Sequence, residues 1–492
     1  MICALSLLLP LALGQAVPSG GAAGEDLVIA VDRLHVGDGR VLENAVVVVA
    51  DGLIRSVVAG GSAAGAHVHV AGAELSPGLF DAYSYMGVGA ATLDQTREST
   101  PSMRVARTAE LDSAEFRTAV VQGVTGAYLS PDSLNVFGGI GAVVKTHGGE
   151  SADLFADPGS AARVIVEDAA LKVTMGSEPS SGNRPPWGGS PDDMNYRRPT
   201  TRMGVERMIR SEFHRAARYR AARAAGAGVS DPGLDALVAA LDGELPLRIQ
   251  ARKSQDLQAL KRLQEELQLP PFVIEEGTEA YRCIPVLQKM RAQVVTGPLF
   301  DDPRRAVVRP LNLAEWRTGV RPPQLCCEDE DAQVPERYRA PDTTGHVHVS
   351  DFALDLLSIV VPGSADAQGL FRGRRATAGL ATPALPALLA ATEVPTVLGA
   401  AEAHGRFGAE ASLIHQARRA VEWGLEPALA LPAVTLEAAR LCGVQERLGS
   451  IEVGKDADLV LWSGPPLAAD SRPILVLVDG VIAFDARPQV TF

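Results

Sequence analysis

The chain has 492 residues, of which 46% are hydrophobic and 21% are charged, and its formal net charge is −13. This length and hydrophobic content allow a large core spread over more than one structural unit and argue against global disorder. The acidic balance and the absence of a basic stripe along the chain argue against nucleic-acid binding.

An apolar run opens the chain. Residues 2–14 read ICALSLLLPLALG, which is too short to span a bilayer, and Gly14-Gln15-Ala16 follow as a candidate cleavage site. We expect residues 1–16 to be a signal peptide, the protein to be exported to a periplasm or secreted, and the mature chain to have no membrane span. No Lys or Arg precedes the run, so an unprocessed apolar tail is the alternative.

Short β-strands are predicted near both ends of the chain. Residues 27–61 alternate β-branched residues with turns, and Gly37-Asp38-Gly39 and Asp51-Gly52 mark hairpins. Residues 449–464 and 473–485 have the same character. We therefore expect residues 27–75 and 449–485 to form one small β-sandwich assembled from both chain ends.

The central body, residues 76–448, alternates strands with helices. The segments LPLRIQARK, PPFVIEEG and QVVTGPLF predict strands, and SQDLQALKRLQEELQL and YRCIPVLQKMRA between them predict helices. This order is typical of βα units, and over such a length it favours an α/β fold with a (β/α)8 TIM-type barrel. Residues 301–380 are rich in Pro, Asp and Arg and are predicted to form an insertion.

Several other segments indicate no specific catalytic site. Residues 138–141 are rich in glycine but lack the Lys-Ser/Thr of a phosphate loop, so we interpret them as a turn. Residues 207–223 predict a basic helix with a solvated face or a surface for an acidic partner. The cysteines show no CxxC spacing, so unpaired thiols are expected, while the disulfide state of adjacent Cys326 and Cys327 stays open.

Three motifs resemble one known family. SPGLFDAYSYMG (76–87) resembles the PGLIDxHxHxG signature of the amidohydrolase superfamily, ADGLIRSVV (50–58) resembles its EDGKIxxVG hairpin, and ERLGSIEVGKDADLVLWSG (446–464) resembles its RxGSxxxGKxADLVxxxG ending. Residues 138–148 and 197–210 are similar to an exported bacterial subgroup related to imidazolonepropionase-like enzymes. The resemblance implies metal-dependent hydrolysis of non-peptide or cyclic C–N bonds, with metal ligands at the ends of the barrel strands.

The family's ligand positions are substituted in this chain. Where the resemblance implies five histidines and an aspartate, the sequence has Tyr83, Tyr85, Gln250, Arg252, Glu276 and Ala401. A phenol is a poor zinc ligand, and a fixed guanidinium charge beside a dication costs several kcal/mol. We therefore expect a degenerate site without a metal, in which Arg252 pairs with Glu276 and Tyr83 or Tyr85 bonds nearby. The alternative is that Arg252 points out of the barrel.

A rebuilt site is the second possibility. Glu276, Glu402 and His404 are the candidate ligands for one zinc or another divalent metal near the barrel mouth. The pair His67-Val-His69 fits an exposed strand better than a metal site, and His346-Val-His348 lies in the predicted insertion.

Three function hypotheses follow. The first is a catalytically degenerate homologue that acts as a partner or scaffold, in an oligomer with itself or with an active amidohydrolase relative. The second is an active C–N bond hydrolase with the rebuilt single-metal site. The third is a barrel that binds a ligand without catalysis. Fold alone does not decide among them, because function depends on the site.

Overall fold

The computed structural model describes most of the chain between residues 26 and 487. The described ranges are 26–62, 65–88, 94, 96–148, 163–176, 178–181, 198–227, 229–297, 299, 383–401 and 412–487. Outside these ranges lie the predicted signal peptide, the 301–380 insertion with Cys326, Cys327, His346 and His348, and the two candidate ligands Glu402 and His404.

The strands and helices of the described residues follow in chain order. The strands are β1 (Leu27–His35), β2 (Val41–Ala50), β3 (Leu53–Val58), β4 (Val68–His69), β5 (Glu74–Pro77), β6 (Leu79–Ser84), β7 (Val124–Leu129), β8 (Phe137–Lys145), β9 (Val164–Thr174), β10 (Leu247–Ala251), β11 (Val273–Glu276), β12 (Gln293–Thr296), β13 (Thr396–Leu398), β14 (Leu459–Trp462), β15 (Pro473–Val478) and β16 (Val481–Asp485). The helices are α1 (Ala114–Val121), α2 (Glu178–Ser181), α3 (Arg202–Ala224), α4 (Pro232–Asp242), α5 (Ser254–Leu267), α6 (Ile284–Met290), α7 (Leu385–Ala390), α8 (Leu413–Glu422), α9 (Pro427–Ala430) and α10 (Leu436–Leu441).

Strands from both chain ends share one sheet. Its order is β16-β15-β14-β5-β1-β2-β3, with β4 beside β1, and β14 pairs with β5 in antiparallel register. The turn between β2 and β3 is Asp51-Gly52, and both residues have positive φ, as a two-residue hairpin requires. The predicted hairpin and the predicted assembly of strands from both chain ends are confirmed, with the strands of the predicted β-sandwich joined in one sheet, whereas the exact domain boundaries stay a prediction.

The central strands form a nearly closed barrel. The second sheet of the described residues runs β6 to β13 in chain order, and a bridge between Ser84 and Ala401 brings its two ends together. Alternate residues of β10 face in opposite directions. Ile249 packs outward in one apolar cluster with Leu257 and Leu260 of α5. The predicted TIM-type barrel and the helical period of three and four in α5 are therefore confirmed.

One barrel strand is reversed, which the sequence analysis did not predict. Strand β8 runs antiparallel to both β7 and β9. Only residues 130–136 connect β7 to β8, and a parallel pair needs a crossover of a dozen residues or more.

The glycines at 138–141 lie within β8, so their interpretation as a turn was wrong. An added Cβ at Gly141 would lie 2.3 Å from the hydroxyl of Tyr128, and one at Gly139 would lie 2.6 Å from the carbonyl oxygen of Met103. Glycine is therefore needed here because neighbouring atoms pack directly against the strand, which a turn would not require.

Two further expectations concern thiols and membranes. Cys283 and Cys442 are both free thiols, as predicted. None of the helices in the described part of the chain has both the length and the apolar content needed to cross a bilayer.

A buried lysine joins the barrel to the sheet domain. The Nζ of Lys145, at the end of β8, lies 2.9 Å from Asp456, 2.8 Å from Asp458 and 3.0 Å from Asp479. Lys145 is 1% exposed, and the carboxylates come from the loop before β14 and the turn after β15. Because buried charges require close partners, this cluster fixes the barrel wall against the sheet domain.

We expect Lys145→Met to lower the free energy of unfolding by about 3–5 kcal/mol, because it removes the cation of the buried Asp458, whereas Asp456 keeps its pair with Arg447. Lys261→Met, which removes a surface pair with Glu265 on α5, should cost less than about 1 kcal/mol. Urea denaturation of both variants measures the difference. Equal stability of the two variants would contradict the conclusion that Lys145 fixes the barrel wall against the sheet domain.

Candidate functional site

The barrel mouth gathers the positions singled out by the sequence. Tyr83 lies near the end of β6 and Gln250 near the end of β10. Arg252 directly follows β10, and Glu276 is the last residue of β11. The carboxyl ends of parallel barrel strands meet at one face, where side chains from different strands converge. Five of the six positions form one hydrogen-bonded cluster, and Ala401 adjoins it.

Arg252 lies at the centre of this cluster. Its guanidinium contacts Glu178 through one nitrogen and Glu276 through two, and the Nη2–Oε1 distance to Glu276 is 3.0 Å. Arg252 is 2% exposed and Glu276 is 8% exposed, so these charges are largely out of water. The predicted ion pair is present, and the alternative in which Arg252 points out of the barrel is wrong.

Two tyrosines extend the cluster across the mouth. The hydroxyl of Tyr83 donates to Glu276 at 3.0 Å and lies 2.7 Å from the hydroxyl of Tyr85, which in turn lies 2.7 Å from Ser133 Oγ. Gln250 Nε2 donates to the same oxygen of Glu276 at 3.0 Å. Glu276 thus accepts from a phenol, an amide and a guanidinium, so the residues at the positions that the family resemblance marks as ligands bond to one another.

Ala401 takes part through its backbone. Its N–H donates to the carbonyl of Tyr83 at 2.7 Å, and its carbonyl accepts from the N–H of Tyr85 at 3.3 Å. Its methyl group offers no ligand atom. Ala401 therefore helps to close the barrel between the first and last strands.

The backbone of Glu276 has an unusual conformation. Its φ is 69°, in the left-handed region that costs a non-glycine residue about 1–2 kcal/mol. Neighbouring residues of a regular strand point to opposite faces. The left-handed turn lets Glu275 and Glu276 both enter the barrel, where each meets a cation.

A second charged layer lies deeper in the barrel, and the sequence analysis missed it. Glu275 binds Lys172 through one oxygen and Arg248 through the other, at 2.7 Å from Arg248 Nε. The guanidinium of Arg248 lies 3.7 Å from the ring centroid of Tyr128, and Lys172 Nζ lies 5.0 Å from that of Tyr83. The inward position of Arg248 could have been predicted from the sequence, because residues 248, 250 and 252 share one face of the strand.

Burial controls ionisation in this layer. Burial lowers the pKa of Arg248, but Glu275, Tyr128 and Cys442 together outweigh it and the pKa of Arg248 is raised overall. Burial also raises the pKa of the Tyr128 phenol well above its usual range. Arg248 is therefore a permanent cation and Tyr128 a neutral phenol at any physiological pH.

The described residues of the barrel mouth do not fit a catalytic metal. The residues that the structure describes include no group of three or more His, Cys, Asp or Glu placed to hold a metal ion. Glu178 and Glu276 both contact Arg252 instead. His67 and His69 bond to the backbone of β1; His69 lies on β4 as predicted, and His67 lies just before that strand. The alternative site at Glu402 and His404 falls outside the described residues and is not tested.

Comparisons with known proteins point to one family. The model of the amidohydrolase family matches residues 353–483. The amidohydrolase tasK of Hapsidospora irregularis is 37% identical over 73 residues, which are 15% of this chain and 7% of that protein. This chain thus matches only a small part of that relative's length.

Solved structures share the fold over nearly the whole chain. An amidohydrolase from Thermotoga maritima MSB8 superposes with a TM-score of 0.67 at 23% identity, covering 93% of this chain and 99% of the other. A Xaa-Pro dipeptidase with bound methionine in the active site gives a TM-score of 0.50 at 17% identity, with the same coverage.

The comparisons support membership of the amidohydrolase superfamily. They agree with the three motifs and with the barrel joined to a sheet domain from both chain ends. Within the superfamily, the exported imidazolonepropionase-like subgroup stays a prediction.

We expect Arg252→Met to destabilise the protein by about 3–5 kcal/mol at pH 7, because it removes the guanidinium that the buried carboxylates of Glu178 and Glu276 both contact. Buried carboxyls that lose a nearby cation take up protons more readily in the folded than in the unfolded state. The loss should therefore shrink as the pH falls toward 5. Thermal and urea unfolding between pH 5 and 8 measure both effects.

The double variant Arg252→Met/Glu276→Gln provides the control. It should be more stable than Arg252→Met alone, because one of the two buried charges that Arg252 contacted is gone. A single variant as stable as the wild type, or a loss independent of pH, would contradict the ion-pair account.

Proposed function

We propose that this amidohydrolase-fold protein is non-catalytic and acts as a partner or scaffold subunit, in an oligomer with itself or with an active relative. The observation that carries the proposal is the buried guanidinium of Arg252, held between Glu178 and Glu276 at the barrel mouth. A metallohydrolase needs neutral or anionic ligands around a dication to activate water. A permanent cation at this position opposes the metal electrostatically.

The hydrogen bonding of the mouth favours this role over catalysis. Tyr83 and Gln250 are fully buried, and both donate to Glu276. A group engaged in this way is a poor base or nucleophile, because its lone pairs and protons are already in use. The charged interior instead ties β6, β10 and β11 together, which suits a protein that retains the fold without the reaction.

A ligand-binding barrel is the second candidate, favoured by two buried atoms. Gln250 Oε1 and Thr174 Oγ1 have no hydrogen-bond partner among the described residues. The two residues are register neighbours on β10 and β9. Buried polar atoms usually have a partner, so a small ligand with a hydrogen-bond donor would satisfy both.

The sequence also supports a proposal for where the protein acts. We propose that the protein is exported, on the strength of the apolar run at residues 2–14. Its acidic balance supports a role without nucleic acid.

Metal analysis after zinc or manganese reconstitution tests the loss of catalysis. We expect well below one metal ion per chain, because Arg252 and the tyrosines replace ligands. A matched gain-of-function variant combines Tyr83→His, Tyr85→His, Gln250→His, Arg252→His, Glu276→His and Ala401→Asp, and should bind more metal than the wild type.

Stoichiometric metal in the unmodified protein would overturn the proposal. Loss of that metal in Glu402→Gln or His404→Ala would then identify the rebuilt single-metal site. The scaffold role is tested separately by native mass spectrometry, alone and mixed with an active amidohydrolase from the same source. A monomer that forms no complex in either case would contradict it.

A further inference from the structure

Helix α3 concentrates positive charge on an acidic protein. It contains seven arginines and two glutamates, a formal charge of +5, whereas the whole chain carries −13. One side of the helix is buried through four residues: Val205, Ile209, Phe213 and Ala216. Phe213 packs edge to face on Phe137 of β8, with ring centroids 5.6 Å apart. The burial of this side fixes which face of α3 is turned to solvent.

The solvent face of α3 carries basic side chains and none of the helix's carboxylates. Arg207, Ser211, His214 and Arg218 are all exposed and follow one another at intervals of four, three and four residues, which places them in one row. Arg207 and Arg218 lie about 16 Å apart along the axis. The two glutamates of α3 lie about 100° and 140° around the helix from Arg207, toward the buried side.

The charge of this row is only partly neutralised. Four arginines of α3 pair with carboxylates at its flanks: Arg202, Arg210, Arg215 and Arg220. His214 lies 3.6 Å from Glu266. Neither Arg207 nor Arg218 forms an ion pair with the residues that the structure describes. Two guanidinium groups of one face are thus available to an anion.

We propose that the solvent face of α3 binds an acidic helical segment of a partner protein. Carboxylates at positions i, i+4, i+7 and i+11 of such a segment have the same spacing as the row from Arg207 to Arg218. Each guanidinium can form two parallel hydrogen bonds with one carboxylate. Ser211 and His214 lie between the arginines and provide further hydrogen-bonding groups.

The charge of the remaining chain favours a short acidic segment over a longer polyanion. Since α3 contributes +5 to the total of −13, the other residues carry a formal −18. A nucleic-acid duplex or an anionic membrane extends beyond α3 and would meet this negative charge. A membrane-bound helix also needs apolar side chains beside its basic ones, and the row has none.

This inference goes beyond the proposed partner role, because it assigns a contact surface and the chemistry of what binds there. It depends on the charge of α3 and not on the barrel mouth. Metal analysis and the test of this surface can therefore fail separately.

Fluorescence anisotropy of the full-length protein with a labelled peptide tests the proposal. The probe is a stapled, alanine-rich helical peptide with glutamates at positions i, i+4, i+7 and i+11. The control peptide has the same composition with its glutamates spread around the helix. We expect the probe to bind more tightly than the control peptide, and its binding to weaken between about 20 and 300 mM salt.

Variants of the two exposed arginines assign the binding to this face. Arg207→Glu/Arg218→Glu should raise the Kd of the probe by at least about tenfold, because two attractive contacts become repulsive. Arg207→Lys/Arg218→Lys keeps the charge and should change the Kd by less than about threefold.

A matched control makes the same change of charge on the sheet domain. Arg55→Glu/Arg472→Glu replaces two exposed arginines there and should change the Kd of the probe by less than about twofold. An equal loss in both charge-reversed variants would overturn the proposal, because it would show an effect of net charge alone.

Three other results would also overturn it. The first is no binding of the probe at about 1 mM, the weak limit of specific recognition. The second is equal binding of the probe and the control peptide. The third is tighter binding to duplex DNA or to vesicles containing phosphatidylserine than to the probe, which would assign the face to a different class of anion.

Discussion

The fixed positive charge of Arg252 is the constraint on which the barrel mouth depends. A guanidinium cannot lose its proton in a protein, so a buried one requires anionic partners from its surroundings. Glu178 and Glu276 supply them from two different elements. Tyr83 and Gln250 donate to the same Glu276 carboxylate, and Tyr85 is held by its hydrogen bond to Tyr83.

The deeper layer follows the same rule with different residues. Lys172 and Arg248 share the carboxylate of Glu275, and the ring of Tyr128 lies under the guanidinium. The left-handed backbone at Glu276 makes the two layers compatible, because it directs consecutive glutamates into the barrel. A modest backbone cost is thus offset by two charge-assisted contacts that a regular strand would not allow.

Much of this arrangement follows from local sequence, and the remainder depends on distance along the chain. The strands and α5 have clear periodicity, and Arg252 and Glu276 occupy positions matched to one family's motif, so their pairing was predictable. The reversal of β8 was not, because a glycine-rich strand and a turn have the same composition. Lys145 and Asp458 are 313 residues apart, and no local pattern shows that they meet. Glu178 was missed for the same reason, since a short helix far from β10 delivers it.

The two charged layers together affect how readily a metal could bind in this barrel. Replacing Arg252 with histidine would remove one cation at the mouth but leave Lys172 and Arg248 one layer below. Their charges are neutralised only in part by Glu275, since two cations share one carboxylate. A dication bound above them would meet residual positive charge in a medium of low dielectric constant, where repulsion is strong. Under the proposed role, the charged interior therefore opposes a metal through its depth as well as at the barrel mouth. The contacts that stabilise the barrel and the charges that would oppose a metal are then the same residues.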